Sequence, residues 1–229
     1  SQNEQDNRNY AKFAKIPMLE PSDSRECKEY TRLAFELSEQ YDTPVMLRTT
    51  TRISHSKSIV ELDERVTGLP EPKLVKNAAK QVMLPGNARV RHPIVEQRCA
   101  TLAEQGSTMA INRMELRDTD IGVITSGVCY QYVREVLPTA STLKLGMVYP
   151  LPHALIREFA SSVDKLFVVE ELDPFVEEQV KAMGIRIIGK EIIPVCGELT
   201  PGRIRKAFAS MDIVGEHGNS SLPELAENL

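Results

Sequence analysis

The sequence predicts an α/β protein whose main sheet is parallel and covered on both faces. Three observations carry this. Near-continuous apolar runs alternate with helical patterns over residues 118–210, as expected of strands buried on two sides. In residues 1–60, Asp23 with Glu26 three positions on forms a capping pattern between two short apolar runs. Polar clusters follow the apolar runs directly, where open sheets of this class hold their ligands.

Taken in order, Ile16, Pro17, Met18 and Leu19 form an apolar segment read as a strand. A helix over about residues 25–41 follows, because Tyr30, Leu33, Ala34, Leu37 and Tyr41 recur at three- and four-residue steps. Val45 to Leu47 reads as a second strand. One helix and two strands cannot bury a core alone. Residues 1–60 are therefore the tail of a larger domain, or they pack on something else. Residues 61–117 are rich in charge and punctuated by Pro70, Pro72, Pro85 and Pro93. They read as a linker, with helices near 73–80 and from 93 to about 104.

From residue 118 the alternation is regular. Ile121 to Thr125 is a strand, Ser126-Gly127 a turn, and 128–137 a helix stopped by Pro138. Leu143 to Val148 is the next strand, with a helix to about Ser161. Lys165 to Val169 is a third strand ending in Glu170-Glu171. Asp173 is placed to cap a helix with Pro174 at its first position, and Gly184 to close it. Ile185 to Ile188 is a fourth strand, and 203–209 a final helix. Residues 211–229 read as a flexible tail.

The bulk numbers exclude several classes. The 229 residues are 41% hydrophobic and 26% charged, with net charge −4. No basic excess for nucleic acid shows in the totals, and no apolar run approaches the roughly 20 residues that span a bilayer. Cys27, Cys99, Cys129 and Cys196 form no C-x-x-C pair, so no zinc or iron–sulfur motif is present. A reduced, cytoplasmic setting follows as the default.

The most informative stretch is Arg48-Thr49-Thr50-Thr51-Arg52-Ile53-Ser54-His55. Two guanidinium groups, four hydroxyls and an imidazole follow a strand, a donor-rich edge suited to a carboxylate or phosphate; a polar loop capping the sheet is the competing reading. Ser126-Gly127 could hold an anion at a helix N-terminus, but no full G-x-G-x-x-G or P-loop exists, and a plain turn is the weightier reading. Glu170 and Glu171 point to opposite faces, so at most one serves a site. The histidines, His55, His92, His153 and His217, have no metal-binding spacing.

Several runs carry a resemblance. They are SQNEQDNRNYAKFAKIPMLEPSDS at 1–24, PVMLRTTTRISHSK at 44–57, VMLPGNARVRHP at 82–93, DIGVITSGVCYQYVREVLP at 120–138 and LTPGRIRKAF at 199–208. Together they resemble the alpha subunits of indolepyruvate ferredoxin oxidoreductases, within the thiamine-diphosphate-dependent 2-oxoacid:ferredoxin oxidoreductases. The resemblance implies that 1–60 is the last part of a pyrimidine-binding domain, 61–117 a linker, and 118–210 a transketolase C-terminal-like domain. It implies oxidative decarboxylation of an arylpyruvate with coenzyme A, ferredoxin and a beta subunit as partners. Thiamine diphosphate, Mg2+ and [4Fe–4S] clusters are the implied cofactors; the catalytic carboxylate, the diphosphate site and the cluster cysteines are expected outside these 229 residues. The chain is then an internal slice, inactive alone. Arg52, Ser54 and His55 match the family's Arg-x-Ser-His segment, and Asn3, Glu4, Gln5 and Asp6 belong to a loop expected near the same edge. A non-catalytic assembly module, and a nucleotide- or coenzyme A-binding domain, are the alternatives.

Overall fold

The structure, a computed structural model, describes residues 5–65, 67 and 75–214. In chain order the elements are α1 (Arg8–Ala14), β1 (Met18–Leu19), α2 (Ser24–Tyr41), β2 (Met46–Leu47), α3 (Thr51–His55), α4 (Ala78–Gln81) and α5 (Pro85–Gly106). Then come β3 (Arg113–Glu115), β4 (Asp118–Ser126), α6 (Gly127–Val136), β5 (Ala140–Leu145), β6 (Met147–Tyr149), α7 (His153–Ser161), β7 (Lys165–Val169), α8 (Phe175–Ala182) and α9 (Pro201–Ala209).

Four strands form the main sheet in the order β3-β5-β4-β7. β4 runs parallel to both β5 and β7, and the short β3 adds an antiparallel edge on β5. Adjacent strand residues feed opposite faces. Ile124, Leu143, Leu145, Leu166 and Val168 pack on Ile156 and Phe159 of α7 and Val176 and Val180 of α8. Val123, Phe167 and Val169 pack on Cys129 and Val133 of α6 and Ile204 and Phe208 of α9. Phe167 and Phe208 meet with ring centroids 5.0 Å apart. Both faces are covered, as the apolar runs require.

The first part of the chain does not stand apart. β1 pairs parallel with β2 and antiparallel with β6, giving a second sheet in the order β2-β1-β6. The apolar run at 143–148 is therefore two strands in two sheets. Gly146 makes the break. A Cβ there would lie 2.4 Å from the Ile111 carbonyl oxygen and 2.6 Å from the Tyr30 hydroxyl, so only glycine lets the chain cross.

A buried network also joins the two parts. Lys144 of β5, 0% exposed, donates to Glu26 at 2.5 Å and to the Tyr30 hydroxyl at 2.6 Å. Arg113 adds a bond to the second Glu26 oxygen at 3.0 Å. Burial would raise the Glu26 carboxyl, but Lys144 and the Ser22 donors outweigh it and hold it below its ordinary value. The Asp23 cap forms as expected, accepting from the Glu26 N–H at 2.8 Å. The Glu26 side chain does not close the capping box; it reaches back to Ser22 instead.

Other expectations need correction. The stretch 61–117, read as a linker with two helices, contains α4, α5 and the unexpected strand β3 among its described residues. The helix expected from Pro93 begins at Pro85 and runs through Pro93, because Pro85 occupies the first helical position, where no N–H is needed. Of the helix expected near 73–80, residues 73 and 74 lie outside the described residues, and the described part holds the single turn α4. The fourth strand reduces to one parallel bridge, Phe167 to Ile188. The last helix starts two residues earlier than read, with Thr200 accepting from the Arg203 N–H at 3.3 Å. Ile213 and Val214, assigned to the flexible tail, pack on the core; residues 215–229 lie outside the described residues.

Candidate functional site at the carboxyl edge of the strands

Four strands each end in a polar or charged residue at one edge. Glu20 follows β1, Arg48 follows β2, Ser126 ends β4 and Glu170 follows β7. All four are buried, as are Asp6 and Arg8 beside them. The hydrogen-bond pattern accounts for each.

Arg8 is the hub, 1% exposed. Its Nε donates to Asp6 Oδ1 at 2.9 Å and its Nη1 to Glu170 Oε2 at 2.6 Å. Nη2 reaches the backbone oxygens of Glu171 at 2.8 Å and Asp173 at 3.1 Å. The guanidinium also sits 5.1 Å from the Phe175 ring centroid. Burial would raise the Asp6 carboxyl, but Arg8 outweighs it and holds it low. Burial raises Glu170 against the pull of Arg8.

Glu170 also caps α8. Its carboxylate accepts from the N–H groups of Val176 at 2.9 Å and Glu177 at 3.0 Å, which suits a negative charge at a helix N-terminus. Asp173 was expected to do this. Its carboxylate instead accepts from Asn9 Nδ2 at 3.3 Å on the surface. The N-cap position of α8 is Pro174, with no side-chain cap bond.

The second half of the edge is built on Glu20. Its Oε1 pairs with Arg48 Nη1 and its Oε2 accepts from Ser126 Oγ at 2.9 Å. Arg48 Nε donates to Asn7 Oδ1 at 2.6 Å. Gly127 has φ +52, and a Cβ there would meet Glu20 Oε1 at 2.8 Å. The anion at the start of α6 is thus supplied by the chain itself.

Toward solvent the edge continues as a rim. Arg52 of α3 donates from Nε to Glu198 Oε1 at 2.6 Å; the two side chains are 55% and 51% exposed. Tyr132 of α6 feels the charges of Arg52, Glu171 and Glu198, and its hydroxyl is pushed up to about 12, chiefly by burial. Burial also raises the Glu171 carboxyl, which Arg48 opposes and Glu20 and Glu198 reinforce.

The residues anticipated from sequence therefore divide. Asp6 lies in the buried cluster, locked to Arg8. Arg52, Ser54 and His55 stand exposed on the outer rim, Ser54 donating to Thr49 Oγ1 at 3.1 Å. Gln5 is exposed, and Asn3 and Glu4 lie outside the described residues. Arg8, Glu20, Tyr132 and Glu198 were not anticipated. Glu20 had one usable signal: like Arg48, it follows an apolar run directly.

The fold and this edge define an α/β protein with a polar, charge-paired site at the carboxyl ends of its strands. No family model matches the chain. It is 40% identical, over 91% of its length, to the indolepyruvate oxidoreductase subunit IorA of Thermococcus kodakarensis. It is 38% identical, over 99% of its length, to IorA of Methanothermobacter marburgensis. It spans 35% and 39% of those two relatives. Over the segment it covers, the chain is similar to the IorA subunits. A 2-oxoglutarate:ferredoxin oxidoreductase from Magnetococcus marinus shares the fold, with TM-score 0.63, 18% identity, and coverage of 87% of this chain and 42% of that one.

Proposed function

We propose that the chain forms part of an oxidoreductase that oxidatively decarboxylates arylpyruvates, indolepyruvate among them. In this reading the products are aryl-acetyl-CoA and reduced ferredoxin, and a beta subunit completes the enzyme. The carrying observation is the similarity to IorA over nearly the whole chain, with the charge-paired strand edge as its physical counterpart. Residues 1–60 are assigned to the end of a pyrimidine-binding domain and 118–210 to a transketolase C-terminal-like domain.

Chemistry of this kind takes its electron sink from thiamine diphosphate. The described residues do not fit the diphosphate. The N-terminus of α6 faces the Glu20 carboxylate, which repels a second anion, and among the described residues no group of His, Cys, Asp or Glu is arranged to hold a metal ion. Thiamine diphosphate, Mg2+ and [4Fe–4S] clusters are therefore assigned to other residues of the intact enzyme, and no step is routed through them here. The part assigned to this chain is positional. Arg8 and Glu20 lock the two parts of the edge together, Asp6 is held inside that lock by Arg8, and the exposed Arg52, Ser54 and His55 rim, with exposed Gln5, is assigned to the reaction space.

Arg52 is the residue to test. Its pair with Glu198 is more than half exposed, and such pairs are worth about 0–1 kcal/mol. Arg52→Ala in the complete enzyme is expected to leave thermal unfolding nearly unchanged while indolepyruvate-dependent ferredoxin reduction drops at least about tenfold, a loss of about 1.4 kcal/mol in transition-state binding. Unaltered kcat and KM in this variant remove Arg52 from the site.

A further inference from the structure

Residues 75–94 form an arm that the rest of the described chain leaves uncovered. It holds α4 and the first turns of α5. Val82, Met83 and Leu84 are 49%, 54% and 62% exposed, and Val90 and Ile94 are 67% and 45% exposed. Val90 and Ile94 stand four residues apart and share one face of α5. That face runs into a shallow groove of about 560 Å³ between α5 and the end of α2, whose lining includes Tyr41, Asp42, Pro93, Ile94, Arg98 and Thr101; the Asp42 carboxylate there is occupied by Lys80 and Arg91. Five exposed apolar side chains gathered on one short segment are the composition of an interaction site.

The arm also has a charge signature. Between Glu71 and Glu96 the sequence has Lys73, Lys76, Lys80, Arg89 and Arg91 and no acidic residue, in a chain of net charge −4. Asp42 engages Lys80 and Arg91. Among the described residues, Lys76 and Arg89 form no ion pair.

We propose that this arm is a docking surface for a partner protein segment presenting an apolar face flanked by carboxylates. The unopposed basic charge selects an acidic partner and speeds its encounter. The apolar stripe leading into a groove between two helices selects a protein side-chain face. A nucleic acid would use the charges and leave Met83, Leu84 and Val90 idle. A lipid surface has nothing to insert into a groove walled by Gln97, Arg98 and Thr101. The partner's anchor is an aliphatic side chain seated against Tyr41 and Pro93, with its acids over Lys76 and Arg89.

The probe is a synthetic helical peptide of leucine and glutamate, titrated into the 229-residue chain by fluorescence anisotropy. A serine–glutamate peptide, phosphatidylserine vesicles and single-stranded DNA serve as comparators. The leucine–glutamate peptide is expected to bind with affinity that falls as salt rises. The serine–glutamate peptide is expected to bind at least tenfold more weakly. Lys76→Glu with Arg89→Glu, and separately Val90→Ser with Ile94→Ser, are each expected to weaken binding at least tenfold with unchanged circular dichroism. Absence of binding, equal binding of the serine peptide, or neutral variants overturn the proposal. So does tighter binding to vesicles or DNA, or self-association of the chain that the charge-reversed variant abolishes, which would make a second copy the occupant.

Discussion

Arg8→Ala is expected to destabilise the chain by about 3–5 kcal/mol, the usual consequence of deleting one partner of a buried ionic pair. The reason is what it leaves behind. Asp6 and Glu170 keep carboxylates that are 0% and 1% exposed at their side chains, with their main cation gone. Two backbone oxygens, of Glu171 and Asp173, lose their donor as well. Arg8→Lys should recover only part of the loss, because an ammonium cannot reproduce the forked contact with Asp6 and Glu170 together. Urea unfolding followed by far-ultraviolet circular dichroism measures it. A change below about 1 kcal/mol, typical of a surface pair, would show that the hub is not what holds the edge.

Gly146→Ala is the second large effect, expected at about 3 kcal/mol, the upper end for overpacking a close-packed site. The added methyl meets a backbone oxygen, that of Ile111, which cannot swing aside as a side chain can. The same residue donates its N–H to Asn112 Oδ1 at 2.8 Å and accepts from the Glu20 N–H at 2.8 Å. Displacing it therefore disturbs the register of β6 on β1 and the seat of Glu20 at once. Thermal unfolding of the variant, with Gly86→Ala as a control at a glycine where a Cβ meets nothing within 4 Å, separates steric from general effects. Equal melting of the two variants would contradict the crowding at Gly146.

The fold was legible where local pattern and burial agree. α2 follows from the Asp23 cap and its apolar stripe, and β7 spans Lys165–Val169 as read. The split at Gly146 was not legible, because 143–148 is one apolar run and periodicity does not say which sheet a strand joins. β3 was missed because three half-buried residues are too short a run for the Arg-Met-Glu alternation to register. At the site, the polar stretch after β2 was visible, but its inner and outer members were not distinguishable. Arg48 is buried and Arg52 exposed, although both are arginines in one polar run. Of the two carboxylates that hold Arg8, Asp6 is two positions away but Glu170 lies 162 positions away, so its burial could not be read locally.

The pairing of β1 with β6 imposes an order on synthesis. A nascent chain has made residues 1–60 long before Met147 and Tyr149, the strand neighbours of Leu19 and Met18, have been added. At roughly 5–20 residues per second on a ribosome, β1 waits on the order of ten seconds for its β6 neighbours. The pairing of β1 with β6, and the hydrogen bond from the Glu20 N–H to the Gly146 oxygen, therefore form only after both distant segments have been made.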